Sequence, residues 1–92
     1  MEQTEEMKAV SSYEGFCEVV KDHAIRTNPD SKEWKERVEA SIAENEDILR
    51  SFYDAAKADW QKCVAGEISQ DIAFAWIQNE IGTCSWNIEM LA

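Results

Sequence analysis

The 92-residue chain holds one proline and three glycines, so little of it can be tight turn, and one histidine and three cysteines, which close off classes of function. His23 is the only imidazole. A carboxylate-bridged di-metal site needs a Glu-x-x-His pattern on two helices, and three residues before His23 stands Val20. Asp22 precedes His23, but adjacent residues on a helix face different ways. Cys17, six residues upstream, is in poor helical register with it. No paired nucleophile and base is therefore expected, and the chain reads as non-enzymatic. Cys17, Cys63 and Cys84 are an odd number for a disulfide framework, and none forms a CxxC pair. They read as reduced thiols of a cytoplasmic protein. With His23 they have the composition of a Cys₃His zinc set, but their spacing matches no zinc module. No metal or other cofactor is expected.

Basic residues are also scarce: nine, against 19 acids, for a net charge of −10. Nucleic-acid binding draws its non-specific affinity from Lys and Arg on phosphates. A chain this acidic repels polyanions, so direct binding to DNA, RNA or an anionic membrane is not expected, whereas a basic protein surface attracts it. Long apolar runs are missing. The longest, 72–77, has six residues, against the ~20 a membrane-spanning helix needs. Residues 1–6 have neither the basic nor the apolar region of a secretory signal. Strand signals are absent too, since β-branched residues nowhere alternate with polar ones.

What remains is helical periodicity over one domain, residues 1–92. Residues 1–10 show no clear period and are expected to fray. Ser11 to Glu14 fits a capping box with Ser11 as N-cap. It opens a first helix over about 12–26, whose apolar face carries Phe16, Val19, Val20 and Ala24. Asn28-Pro29 ends it. A second helix spans about 31–65, with Trp34, Val38, Ile42, Leu49, Tyr53, Ala56, Trp60 and Val64 on one stripe and Asn45 filling the gap in the row. Unbroken, it would be about 52 Å long. The polar stretch 43–47 is its weakest point, but no Gly or Pro interrupts it, so one continuous helix is expected. Gly66 reads as a left-handed C-terminal stop and Ser69 as the next N-cap. The third helix, about 70–90, has one row of Ala73, Ile77, Ile81, Cys84, Ile88 and Leu91 and another of Ile72, Trp76, Trp86 and Met90. A helix apolar nearly all round is buried on several sides. The expected fold is all-α: three helices, with the second and third as a long antiparallel hairpin and the shorter first helix packed across it.

Two surfaces stand out as sites of contact with a partner. Glu36, Asp47 and Asp54 fall near one line on a continuous second helix, opposite its apolar stripe, with Glu33, Glu44 and Glu46 flanking them. This acidic face could meet a basic partner, or mimic the phosphates of nucleic acid if acids from other segments join it. Trp34 and Trp86 lie near helix ends, where burial is hardest, and are the candidate interface anchors. In size, acidity and want of catalytic residues the chain resembles the small acidic proteins with which phages and mobile elements block host defence enzymes, anti-CRISPR proteins among them. That resemblance implies a non-enzymatic inhibitor or modulator of a basic, nucleic-acid-handling partner. It rests on no motif and carries no site residues. The alternative is a homodimeric structural or adaptor subunit, assembled through the third helix.

Overall fold

The computed structural model describes residues 3–92. Five helices follow one another: α1 (Glu5–Ser11), α2 (Tyr13–Ile25), α3 (Lys32–Glu44), α4 (Glu46–Val64) and α5 (Gln70–Leu91). No strand occurs among the described residues, and no described helix is long and apolar enough to cross a membrane. The class is all-α, as the periodicity indicates, but there are five helices where three were expected. Two departures account for the difference.

The first is α1. Residues 5–11, all but the last in the stretch expected to fray, form a helix, while residues 1 and 2 of that stretch lie outside the described residues. Thr4 accepts a hydrogen bond from the Met7 amide at 3.1 Å, and Glu5 and Glu6 fill the first turn, where acids favour the helix dipole. Ala9 and Val10 are buried. Ser12 stays extended and breaks the chain between α1 and α2. It is Ser12, not Ser11, that caps α2, accepting from the Gly15 amide at 2.9 Å. Ser11 closes α1 instead, by donating to the Lys8 carbonyl. A Cβ on Gly15 would lie 2.3 Å from that same carbonyl oxygen, so the close approach of α1 to α2 requires glycine there.

The second departure is the break at Asn45, which divides the expected second helix into α3 and α4. In an unbroken helix the Asn45 amide would bond the Ser41 carbonyl, four residues back. Here the Asn45 side-chain amide takes that carbonyl at 2.7 Å, and the backbone N–H moves to Ile42 at 3.4 Å. The backbone of Asn45 leaves helical geometry (φ −122°, ψ 45°). This is the competition that makes asparagine a poor residue for a helix interior. The bend lets Val38 of α3 and Leu49 of α4 both reach full burial.

The remaining joins follow the sequence. Gly66 has φ +80°. Gly66 and Glu67 donate to the carbonyls of Cys63 and Lys62, the paired bonds of a Schellman stop. Ser69 caps α5 through the Ile72 amide at 3.2 Å. α4 and α5, joined by this short turn, form the most extensive helix pair. The core runs from Phe16, Val20 and Ala24 of α2 through Val38, Leu49 and Ala56 to Ile77, Ile81, Cys84 and Ile88 of α5. α3 closes the ends of its neighbours. Ser41 donates to the Ile88 carbonyl and Arg37 to Ala92, both at 3.0 Å, at the C-terminal end of α5. The Trp34 indole donates to the Ala24 carbonyl at 2.9 Å, at the end of α2. These carbonyls are among those a helix leaves unpaired at its C-terminus.

Candidate binding surface

The acidic residues singled out from sequence are all exposed, but the structure does not set them on one line. Glu33, Glu36 and Glu44 belong to α3, whereas Asp47 and Asp54 belong to α4. The alignment of Glu36 with Asp47 and Asp54 assumed a continuous helix, and the break at Asn45 removes that assumption. What the break creates is a notch lined by Glu44, Asn45, Glu46 and Asp47. Arg50 answers part of this charge, pairing with Glu46 at 3.1 Å while its guanidinium lies 4.1 Å from the centre of the Tyr13 ring. Along α3, Lys32 and Lys35 border a shallow depression together with Glu36 and Glu39. Acids and bases therefore alternate there, and the face is less purely negative than the sequence line implied.

The two anchor candidates part company. Trp34 is half-buried, fixed by its indole bond to Ala24, with Arg37 stacked over its ring. Trp86 is 60% exposed. It belongs to a longer feature, of which the apolar members form one row in the sequence, on the helix expected to assemble a homodimer. Ile72, Trp76, Asn79, Thr83, Trp86 and Met90 are all exposed on α5, at successive spacings of four, three, four, three and four. That spacing holds them on one face of a helix. Met90 is 67% exposed, Ile72 45% and Trp76 41%, while the opposite face, through Ala73, Ile77, Ile81, Cys84 and Ile88, is fully buried. No charged residue stands on the outer stripe. Beyond the first turn of α5 the charges are Glu80 and Glu89. Glu80 is half-buried and feels Asp59 of α4, and Glu89 accepts from Ser85. Lys62 of α4 reaches over Trp76 at 5.5 Å. A hollow bounded by Gln78, Asn79, Gly82, Thr83 and Trp86 lies at the middle of the stripe. The signal in the sequence was this four-three spacing, broken to the eye by the polar Asn79 and Thr83.

The titratable groups say what chemistry is near at hand. Burial pushes the Cys84 thiol up to about 12 and raises Cys17 as well, which keeps both protonated and poor as nucleophiles at neutral pH. His23 meets Glu5 and so ties α2 to α1. Burial raises the Asp59 and Glu80 carboxyls, and the Asp59 charge raises Glu80 further. Among the described residues no three His, Cys, Asp or Glu side chains are grouped so that they could hold a metal ion. Comparison with protein-family models, with curated protein sequences and with solved structures returned no match.

Proposed function

We propose that the protein is a non-enzymatic binding protein, acting in the cytoplasm by contact with other proteins, and that the outer face of α5 is one of its contact surfaces. One observation carries this reading. Trp76, Trp86, Ile72 and Met90 are exposed together on a single uncharged helix face. The largest exposed apolar patch on a small protein is often a contact surface, and tryptophan is enriched among residues that dominate binding energy.

The net charge of the chain, −10, supports a second contact, with a basic partner. The α3–α4 side, with Glu33, Glu36, Glu44, Asp47 and Asp54, is the surface for it, and the notch at Asn45 favours it by gathering Glu44, Glu46 and Asp47. Proteins that handle nucleic acid carry such basic surfaces. Inhibition or modulation of one of them is the action we propose, in the manner of an anti-CRISPR protein or other anti-defence inhibitor. Nucleic-acid mimicry would require a denser line of acids than α3 and α4 present together.

Affinity capture with three baits tests both contacts. The wild type, Trp86→Glu, and a Glu36→Lys, Asp47→Lys, Asp54→Lys variant are each exposed to a lysate and washed at low and then high salt. A basic nucleic-acid-handling protein retained by the wild type, released at high salt and lost with the charge-reversed bait supports the acidic contact. Retention indifferent to salt and to charge reversal contradicts it. Trp86→Glu is expected to lose a salt-resistant contact. If it retains everything the wild type retains, untagged copies of the chain included, α5 is not a contact surface.

A further inference from the structure

We infer that the partner of the α5 face is a second copy of this chain, packed antiparallel through α5 about a two-fold axis at the level of Ile81. This rests on the reading of α5 as a contact surface and adds the identity and register of what covers it. The outer stripe is its own complement. Its spacing of four, three, four, three and four reads the same from either end. With two copies of α5 antiparallel, Ile72 of one meets Met90 of the other, Trp76 meets Trp86, and Asn79 meets Thr83. Every position of the stripe is then filled by another of the same stripe, which is the requirement for an isologous two-fold interface. The two large aromatic pairs flank the axis symmetrically, and the polar Asn79–Thr83 pairs meet beside it. A polar pair at the centre of such a seam fixes register. Ala75 and Gly82, both exposed and seven residues apart on one flank, keep that side of the seam low, so that the helices can approach closely. The antiparallel arrangement also aligns the two helix dipoles head to tail.

Area and charge agree with this occupant. The stripe is about 27 Å long. The exposed parts of Ile72, Trp76, Trp86 and Met90 offer on the order of 500 Å² per copy, so two copies would bury roughly 1,000 Å², the size at which an interface becomes specific though weak. Two molecules of charge −10 repel each other across any acidic face. The α5 stripe brings no charge of its own into the contact, the charge set over it by α4, Lys62 above Trp76, is positive, and the acids of α3 and α4 take no part in the seam. The remaining repulsion is long-range and screened by salt. Self-association should therefore tighten as salt rises, the reverse of binding to a basic partner.

Sedimentation velocity of the full chain, from about 1 to about 100 μM and at about 0.05 and 0.5 M NaCl, reads the result. The inference predicts a species of twice the chain mass of 10.5 kDa, with a dissociation constant that falls as salt is added. Thr83→Glu places a charge beside the axis in both copies and should raise that constant at least about tenfold, with the helical circular dichroism unchanged. Orientation is read by mixing Ile72→Cys and Met90→Cys proteins under mild oxidation. The antiparallel seam predicts a cross-linked species in the mixture that neither protein forms alone. A single-chain mass under every condition overturns the inference, and so does cross-linking of Ile72→Cys to itself in preference to Met90→Cys. A single-chain mass beside a capture that Trp86→Glu abolishes leaves α5 as a contact surface for a different protein. A single-chain mass beside a capture that Trp86→Glu does not change removes both readings.

Discussion

Two glycines show how much one residue's surroundings decide. Gly15 sits where α2 crosses the end of α1, and a Cβ there would meet the Lys8 backbone oxygen at 2.3 Å. The contact is with backbone, so no side-chain rotation relieves it. Gly15→Ala is expected to lower stability by about 2–4 kcal/mol in a urea titration, with faster amide exchange concentrated in α1. A loss below about 0.5 kcal/mol, within the range of an ordinary surface change, would contradict the close approach. Gly82 lies inside α5 with nothing within 4 Å of an added Cβ. Gly82→Ala should raise the stability of the single chain by up to about 1 kcal/mol, while weakening self-association by filling the low flank of the seam. Asn45 is the third such residue. Asn45→Ala takes the side-chain donor from the Ser41 carbonyl, with an expected cost of about 1 kcal/mol in the same titration. Unchanged stability would mean that the bend is imposed by packing and not by this side chain.

At the scale of the helix, the sequence was most legible where a pattern had a single physical meaning. The Gly66 stop, the Ser69 cap and the buried row of α5 from Ala73 to Ile88 followed from periodicity and capping chemistry, and the structure has them, whereas Leu91, the last member of that row in the sequence, is exposed. The α3–α4 junction was recognised as the weakest stretch yet read as continuous. The reason lies in one side chain. Asn45 occupies a position in the apolar row, so it left the period intact while its amide competed for the backbone. α1 was missed because seven residues carry too few turns for periodicity to register. Its signal was local, in Thr4 followed by Glu5 and Glu6, and its packing comes from Ala9 and Val10 in the common core, with α2 as its main neighbour and α4 and α5 beside it. Of the two tryptophans picked as anchors, Trp86 is exposed and Trp34 is tied to Ala24. A helix-end position does not reveal that an indole will find a carbonyl at the end of another helix. The acidic line was lost with helix continuity, since residues on either side of a bend no longer share a face. At this scale Thr4→Ala should cost about 1 kcal/mol, seen as raised amide exchange across residues 5–11 while α5 is unaffected. Equal loosening of both helices would contradict a local cap.

At the scale of the whole molecule, the exposed apolar stripe belongs to α5 and the acids of the candidate charged contact belong to α3 and α4, and two opposite dependences on conditions follow. Asp59 and Glu80 titrate above their ordinary values in the folded protein, chiefly through burial and, for Glu80, through Asp59. In the window between their ordinary and raised values the folded state holds more protons than the unfolded state. Stability from this pair therefore falls as pH rises through that window and is greatest below it. Glu80→Gln should remove part of that slope and raise the melting temperature at neutral pH by about 1–3 °C, and an unchanged pH profile would contradict the assignment. Salt separates the two contacts: rising salt should weaken any complex made by the acidic α3–α4 side and strengthen association through α5. The central claim is that the outer face of α5 is a contact surface. The most direct test is the indole N–H signals of the four tryptophans in the NMR spectrum, followed as the protein is concentrated at high salt. The account predicts that Trp76 and Trp86 shift or broaden together while Trp34 and Trp60 hold their places. Movement of Trp34 and Trp60 with Trp76 and Trp86 fixed, or four signals unchanged both on concentration and on addition of any protein the chain captures, would contradict it.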